Sequence, residues 1–260
     1  MSENQEKKVS ETVSELLCDI ADGVATLYGK GYKEGCEDGA AQGFENGKKA
    51  EYDAFWDVYQ NKGKRTAYRY AFAGSEGWND ETFDPKYTIK AEGLSGVSLY
   101  YTFNQANISD IKAILDAKGL TIDTSGAQGL YSTFEGCQTK NIPTIDAKVC
   151  NQFYRTFYDA KKLVKIEILN IKEGCTFSNA FYNCSALETL TVSGTIGSVM
   201  DLHFSTKLTH DSLMNVIGCL KDFIAAGQGI TKTLTLGSTN LAKLTDAEKA
   251  VATAKGWSLA

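Results

Sequence analysis

The amino-acid sequence predicts an α/β repeat protein whose units stack into a solenoid. One aromatic five-residue motif occurs four times, at intervals of 31, 23 and 24 residues, beginning at Leu99, Leu130, Phe153 and Phe177. Such intervals are typical of repeat architectures. In the two cleanest copies, Phe157 to Ile168 and Phe181 to Val192, apolar residues recur at every third position and then alternate, which predicts a helical turn followed by a short strand. Because one unit cannot bury its apolar edge alone, neighbouring units must stack, with their strands paired in parallel.

Three further segments flank this repeat region, which we place at residues 94–208. Apolar residues at helical spacing and a regular glycine pattern predict a helical attachment or oligomerisation segment at residues 1–50. An aromatic connecting module follows at residues 51–93. Residues 209–260 depart from the repeat, with a helical pattern, a short strand and a capping signal at Thr245. These features predict an α/β cap that covers the end of the repeat core.

Within the first segment a glycine recurs at every fourth residue, at Gly31, Gly35, Gly39, Gly43 and Gly47. Each interior glycine costs a helix roughly 1 kcal/mol relative to alanine, so five of them need a compensating interaction. Close approach of a second backbone along this column would provide one. We therefore interpret the column as an oligomerisation or docking surface. A flexible, partly helical stalk is the alternative.

The composition argues against several classes of function. The 260-residue chain carries a net charge of −5 and lacks the basic character that nucleic-acid binding requires. Runs of 18 apolar residues do not occur, and the N-terminus is polar, so we expect neither a transmembrane helix nor a secretory signal. The seven cysteines include no C-x-x-C pair, which argues against a structural zinc site. Their odd number is typical of a protein made in a reducing cytosol. We expect no metal and no cofactor.

The sequence gives no support for catalysis. Its two histidines, His203 and His210, belong to no recognisable constellation with serine, cysteine or carboxylate side chains. The glycine-rich run lacks the Lys-Ser/Thr ending of a phosphate-binding loop. Paired carboxylates of a glycan hydrolase are assembled only in space, so that alternative stays open. We expect a non-enzymatic protein without catalytic residues.

Tyrosines at fixed positions of the motif are the candidate ligand-binding residues. Three occupy the second position and should stack into a ladder that ends at Ser178. Two more follow the last phenylalanine of the motif and should form a second pair. The five residues are Tyr100, Tyr131, Tyr154, Tyr158 and Tyr182. A tyrosine combines apolar area with a hydroxyl group, which suits protein or glycan recognition. Alternatively, the rings only cover the seams between repeats.

The unit from Phe181 to Val192, Phe-x-x-Cys-x-x-Leu-x-x-Leu-x-Val, resembles the BspA-like class of leucine-rich repeats. Two further segments are similar to those of a phage- and prophage-associated group of such proteins from gut Firmicutes. They are the end segment, which runs from Leu236 to Ala250 and closes with Lys255 to Leu259, and the segment from Lys48 to Asp57. This resemblance implies a leucine-rich-repeat solenoid with an N-terminal helical stalk and an α/β C-terminal cap. An insertion around residues 110–118 and a short fifth unit at residues 204–208 depart from a regular array.

The same resemblance implies a virion or phage-tail protein that is made in the host cytoplasm. Its N-terminal helix would attach it to other particle proteins, and its repeat head would recognise a protein or glycan on a host surface. By analogy with other tail appendages we expect a homo-oligomer, with a trimer favoured. We expect no contact with nucleic acid and no membrane insertion. A structural virion component packed against other particle proteins and a bacterial cell-surface adhesin stay open as alternatives.

Removing residues 1–47 tests the interpretation of the glycine column. If the column mediates self-association, the full-length chain is an oligomer and the truncated chain is a monomer, because the shared surface has been removed. The solution mass of both forms, measured by light scattering, distinguishes these states. A monomeric mass for both forms would contradict self-association and leave docking to another protein, or a tether, as the role of this segment.

Overall fold

The computed structural model of this protein describes residues 72–74, 78–85, 88–90 and 99–260. All of these residues lie in the second of two compact units, Lys64–Ala260. Within these ranges the chain forms eight short strands and four helices. The strands are β1 (Ile89–Lys90), β2 (Ile122–Asp123), β3 (Ile145–Asp146), β4 (Lys165–Ile171), β5 (Thr189–Gly194), β6 (Met200–Asp201), β7 (Lys232–Thr235) and β8 (Trp257–Leu259). The helices are α1 (Ile111–Asp116), α2 (His210–Cys219), α3 (Gly237–Leu241) and α4 (Asp246–Ala254).

Each aromatic motif opens a run of eight residues that folds as three successive tight turns. In the run that begins at Phe153, the N–H groups of the fourth, sixth and eighth residues donate to carbonyls three residues earlier, at 3.3, 3.1 and 3.0 Å. The third and seventh residues of all four runs have positive φ: Tyr101, Gln105, Ser132, Gly136, Arg155, Asp159, Asn179 and Asn183. A residue in this left-handed conformation does not continue a right-handed helix. We call the four runs, residues 99–106, 130–137, 153–160 and 177–184, the turn stack.

Backbone hydrogen bonds join each run to the next one. The N–H groups at positions three, five and seven of one run donate to the carbonyls at positions two, four and six of the following run. Between the second and third runs these bonds measure 3.0 Å from Ser132, 2.8 Å from Phe134 and 2.7 Å from Gly136. The same three bonds recur at the other two interfaces of the stack. Successive N–H groups along a run therefore donate in alternation to carbonyls of the same run and to carbonyls of the next run.

Side chains at positions one, four, five and eight of each run are buried. The fifth residue is always phenylalanine, and these rings form a column, with neighbouring centroids 5.4–6.0 Å apart. Buried threonines at position four reach back to the preceding run: the Thr133 hydroxyl donates to the Leu99 carbonyl at 2.8 Å, and that of Thr156 to Leu130 at 2.6 Å. The apolar column and these bonded hydroxyls together fix the register between runs.

The stack extends towards the N-terminus beyond the four motifs. The N–H of Phe72 donates to the Thr102 carbonyl at 2.8 Å, and the N–H of Gly74 donates to that of Asn104 at 2.7 Å. The Phe72 ring stacks on Phe103 with a centroid distance of 5.2 Å. Phe72 thus makes the hydrogen bond and the ring contact of position five in a run, and Gly74 makes the hydrogen bond of position seven. Part of the segment that the sequence analysis treats as a connecting module therefore has the geometry of the repeats.

Three small parallel sheets accompany the turns, with strand orders β1-β2, β3-β4-β5 and β6-β7-β8. In the second sheet Ile145 pairs with Ile168, and Ile168 with Val192, so these buried side chains form one row. A side chain links the first sheet to the second: the Thr124 hydroxyl donates to the Asp146 carbonyl at 3.1 Å and accepts from the Asp146 N–H at 2.7 Å. The Thr124 hydroxyl thus makes two hydrogen bonds with the Asp146 backbone, in place of a backbone carbonyl and N–H of a neighbouring strand.

Helix α2 covers the outer edge of the second sheet. The Leu190 N–H donates to the Ser212 hydroxyl at 3.1 Å. The amide of Asn215 accepts from the Val192 N–H at 2.6 Å and donates to the Val192 carbonyl at 3.1 Å. Unpaired edge groups are a template for association with another strand. Side chains of the helix bond the edge groups of β5 in place of a further strand.

Two helices, one in the insertion within the repeat region and one in the C-terminal segment, begin with side-chain caps. Helix α1 occupies the insertion at residues 110–118, and the Asp110 carboxylate accepts from the Ala113 N–H at 2.9 Å. Helix α4 begins where the sequence predicts it, with a capping box in which Thr245 and Glu248 bond each other's backbone N–H. Buried Trp257 in β8 anchors the chain end, because its Nε1 donates to the Lys221 carbonyl at 2.8 Å.

The predicted fold class is wrong in three respects. The units are not alternating helix and strand, because the segment expected to form a helical turn forms the successive turns described above. The strands form three separate sheets of two or three strands, where an α/β repeat requires a continuous one. The N-terminal helical stalk has no support, since the helices of the described residues begin only at Ile111, and residues 1–50 lie outside those residues. A spacing of three is shared by helices and consecutive turns, which explains the first error.

Replacing Ser132 with glycine should stabilise the protein. Ser132 is buried, has φ of 51°, and its hydroxyl has no hydrogen-bond partner among the described residues. Glycine relieves the left-handed strain and removes the buried polar group, at some entropic cost in the unfolded chain. We expect the free energy of unfolding to rise by about 1 kcal/mol, corresponding to a Tm increase of roughly 2–4 °C.

Asn179 provides the matched control for this substitution, because it occupies the same position of the fourth run with φ of 54° and is exposed. Asparagine tolerates this conformation, so Asn179→Gly should change the free energy of unfolding by less than about 0.5 kcal/mol. Urea denaturation measures both variants. Destabilisation by Ser132→Gly would show that the serine side chain contributes a favourable interaction.

Candidate binding surface

Side chains at positions two and six of the runs point away from the core and bring the predicted tyrosines to one surface. Four of them are half-buried, and Tyr182 is 38% exposed. We call this surface the tyrosine face and define it by Tyr100, Tyr131, Tyr154, Tyr158 and Tyr182. Because the runs are stacked in register, tyrosines from different units become neighbours. The remaining predicted site residues, the five glycines between Gly31 and Gly47, lie outside the described residues.

The three tyrosines at position two form the predicted ladder. The ring centroids of Tyr100 and Tyr131 are 5.3 Å apart, and those of Tyr131 and Tyr154 are 4.7 Å apart with planes 23° from parallel. Ser178 takes the same position in the fourth run, so the ladder ends there as the sequence predicts. The neighbouring Tyr101 also contacts Tyr131, at 5.1 Å. These rings cover the seams between runs and still keep part of their surface in contact with solvent.

A second aromatic row lies at position six. The rings of Tyr158 and Tyr182 are stacked with centroids 4.6 Å apart and planes 11° from parallel. Phe204 extends this row, since the edge of one ring meets the face of the other at 4.5 Å from Tyr182. His203 packs on Phe204 in turn, at 3.7 Å. In the sequence, Phe204 stands out only as the start of a short fifth unit, so it is not among the predicted binding residues.

Arg155, at position three of the third run, packs against the second row. Its guanidinium sits over the Tyr158 ring, 3.7 Å from the centroid. It also forms a two-point ion pair with Glu135 of the preceding run, with Nε to Oε2 at 3.0 Å and Nη2 to Oε1 at 2.5 Å. These bonds to Glu135 raise the pKa of the Arg155 guanidinium. Arg155 is not among the predicted binding residues, although it occupies the third position of one of the four aligned motifs.

The hydroxyl of Tyr100 differs from the others because it is engaged inside the protein. Gln152 donates its side-chain N–H to this oxygen at 2.7 Å. Burial raises the pKa of Tyr100, and the bond from Gln152 opposes the shift. The hydroxyls of Tyr131, Tyr154, Tyr158 and Tyr182 make no hydrogen bond to another described residue. Four phenol groups are thus available to hydrogen-bond a ligand.

The stacking decides which part of each ring a ligand can reach. An aromatic ring has a negative face and a positive edge. The facing surfaces of Tyr131 and Tyr154 are occupied by each other, as are those of Tyr158 and Tyr182, and Arg155 lies over Tyr158. The tyrosine face therefore presents mainly ring edges and hydroxyls in two rows. It is suited to hydrogen bonding and edge contacts more than to stacking on a flat ligand.

Among the described residues, the hydrogen-bond partners of both imidazole rings are carboxylates. His203 Nδ1 is 2.6 Å from Asp201 Oδ1, and His210 Nε2 is 2.8 Å from Glu248 Oε1. The contact with Glu248 links α2 to α4 and raises the pKa of His210. Across residues 72–74, 78–85, 88–90 and 99–260, no group of three acidic, cysteine or histidine side chains is arranged to hold a metal ion. None of the helices in these ranges has the length and apolar character needed to cross a membrane.

Comparison with known proteins adds no relative: no family model, no curated protein and no solved structure matches this chain.

Replacing Arg155 with lysine tests the ion pair between Arg155 and Glu135 beside the second row. Lysine keeps the charge but loses the two-point contact with Glu135 and the planar contact with Tyr158. We expect the free energy of unfolding to fall by about 1 kcal/mol. Lys161→Ala is the matched control, because the ion pair of Lys161 with Asp159, at 3.1 Å, is exposed on both sides. That change should stay within about 0.5 kcal/mol. Equal effects of the two substitutions in urea denaturation would contradict a special role for Arg155.

Proposed function

We propose that this chain is a non-enzymatic binding protein of a virion or phage tail that recognises a host surface through the tyrosine face. The observation that carries the proposal is the two in-register rows of tyrosines with four available hydroxyls. Tyrosine is enriched at binding sites because it contributes large area and a hydrogen-bonding group at low cost in side-chain entropy. The virion location rests on the resemblance of the end segments to phage-associated proteins.

The chemistry of the face favours a protein as the partner over a glycan. Sugar rings bind aromatic side chains through their apolar C–H faces, which need an open ring face. Within each row, the facing surfaces of neighbouring rings cover each other, and Arg155 covers one face of Tyr158. Ring edges and phenol hydroxyls instead complement the carbonyl groups and carboxylates of a protein surface. The ion pair between Arg155 and Glu135 leaves the centre of the face without net charge, so contact area and hydrogen bonds must provide the affinity.

Two alternative functions predict a different use of the same surface. A structural virion component would have its tyrosine face covered by other particle proteins, and isolated protein would not bind cells. A bacterial cell-surface adhesin would be found on the producing cell in the absence of particles. Fractionation of particles and cells, followed by detection of the chain with an antibody, separates these cases from a host-binding role.

Removal of two phenol hydroxyls tests the face without disturbing its packing. In the double variant Tyr131→Phe, Tyr154→Phe both rings keep their stacking, and neither hydroxyl bonds another described residue. If the hydroxyls bind a host protein, the affinity of the labelled chain for host cells should fall about tenfold. The measurement is flow cytometry on a panel of gut Firmicutes cells, with Tm recorded to confirm that stability is unchanged.

The double variant is compared with Ile224→Ser, which removes an exposed apolar side chain of the C-terminal segment. This control should bind cells as the unchanged chain does. Cells shaved with protease should lose binding, whereas cells whose glycans have been oxidised with periodate should keep it. Unaltered affinity of the double variant would contradict a role for the tyrosine face. Loss of binding only after periodate treatment would identify a glycan as the partner.

A further inference from the structure

The second aromatic row contains two tyrosines that each meet one other tyrosine ring. Tyr158 and Tyr182 lie face to face, with centroids 4.6 Å apart and planes 11° from parallel. Arg155 lies over Tyr158 as well, and the further ring contact of Tyr182 is with Phe204, which has no hydroxyl. Among the described residues, Tyr158 and Tyr182 are therefore each other's single tyrosine neighbour. The function proposed above uses their hydroxyls and makes no use of the contact between their rings.

The ladder at position two differs, because Tyr131 contacts three tyrosine rings. Its centroid lies 5.3 Å from that of Tyr100, 5.1 Å from that of Tyr101 and 4.7 Å from that of Tyr154. The planes of these contacts are 35°, 53° and 23° from parallel. The pair in the second row is thus the most nearly parallel tyrosine contact of the described residues, and it has one possible pairing.

The register between runs explains why the two rings face each other. Tyr158 and Tyr182 both occupy position six, and the Asp159 N–H donates to the Tyr182 carbonyl at 2.8 Å. The core rings one position earlier, Phe157 and Phe181, are stacked as well. Because the runs are held in register, equivalent atoms of the two phenol rings are neighbours. The ring carbons next to each hydroxyl therefore lie side by side.

The pair is open to reaction with an oxidant in solution. Tyr182 is 38% exposed and Tyr158 is half-buried, so both rings reach the surface. Neither hydroxyl bonds another described residue, so each can release its proton to water. Two reactive groups that are held in contact combine much faster than two groups that must first meet by diffusion. The stacked pair therefore favours a bond between these two rings over a bond to a distant tyrosine.

We propose that Tyr158 and Tyr182 form a dityrosine crosslink between the third and fourth runs when the protein meets hydrogen peroxide and a haem peroxidase. The oxidised haem takes one electron from each phenol, and each hydroxyl releases its proton. The unpaired electrons of the two phenoxyl radicals then pair in a C–C bond between ring carbons next to the hydroxyls. The hydrogen on each of these carbons leaves as a proton, and each phenol oxygen takes one up, which restores both aromatic rings.

The electrons and atoms of this reaction balance. One hydrogen peroxide accepts the two electrons and two protons that the phenols lose and becomes two waters. Two tyrosines and one peroxide thus give one dityrosine and two waters. The product keeps both hydroxyls and joins two units covalently at the tyrosine face. This inference does not depend on what the tyrosine face binds.

Peptide mapping of the full-length chain after treatment with hydrogen peroxide and a haem peroxidase tests the proposal. Tyr158 lies in the tryptic peptide 156–161 and Tyr182 in the peptide 173–207, and each peptide contains one tyrosine. After reduction and alkylation of the cysteines, we expect these peptides to be linked, with the sum of their masses less two hydrogens. An equal mixture of isotope-labelled and unlabelled chains shows where the link forms. Linked peptides that are both labelled or both unlabelled demonstrate a crosslink within one chain.

Variants and a denatured sample complete the test. Tyr182→Phe keeps a stacked ring but cannot couple through a phenol, so the linked peptide should be lost. Tyr131→Phe, the matched change in the ladder, should retain it. Oxidation in urea should abolish the link, because the rings are no longer held together. Recovery of the two peptides unlinked, a link from either one to a different tyrosine, a link between chains, or an equal yield in urea would overturn the proposal. Mapping of the unchanged chain decides between these outcomes, so a variant that fails to fold does not weaken the test.

Discussion

The structure depends on one backbone feature, a residue with positive φ at positions three and seven of each eight-residue run. A positive φ at positions three and seven reverses the direction of the peptide groups around them. Alternate N–H groups then point to the run's own carbonyls and to those of the next run. Buried backbone groups are costly when unpaired, so this arrangement lets the chain pass through the core in turns without a continuous sheet. Except for Gly136, these positions carry non-glycine residues, and their strain persists because the inter-run bonds overdetermine it.

The tyrosine face follows from this arrangement because side chains at fixed positions are brought into register. Positions one, four, five and eight form the core, and positions two and six are left to face outwards. The phenylalanine column at position five and the tyrosine ladder at position two are therefore two consequences of one alignment. Arg155 illustrates the connection: it has positive φ, donates its N–H to the Ser178 carbonyl at 3.0 Å, and places its guanidinium over the Tyr158 ring of the second row. A change in register would remove the core contacts and the surface together.

Much of the surface could be predicted from the sequence, whereas the local backbone could not. Equal spacing of Tyr131 and Tyr154 within their motifs is enough to predict that the rings meet. The three-residue spacing from Phe157 through Ala160 to Leu163 fits a helix and a series of turns equally well, so the prediction of a helical turn had no support over turns. A signal for turns was available, because position seven holds Gly136, Asp159 and Asn183, residue types that tolerate positive φ. Phe204 and Arg155 are absent from the predicted binding residues because the repeated residue type in the motifs is tyrosine.

Cys150 and Cys175, which precede the third and fourth motifs, show that equivalent positions are not always equally spaced in the sequence. Aligned on the aromatic motifs, Cys150 falls opposite Gly174, because the motifs at Phe153 and Phe177 are 24 residues apart whereas the cysteines are 25 apart. Backbone turns set the true equivalence, since both cysteines donate to a carbonyl three residues earlier. A one-residue difference in the connection before the fourth motif is absorbed between the turn and the motif. The hydrogen-bonded turns therefore define which residues of successive units are equivalent, and the spacing of the motifs alone does not.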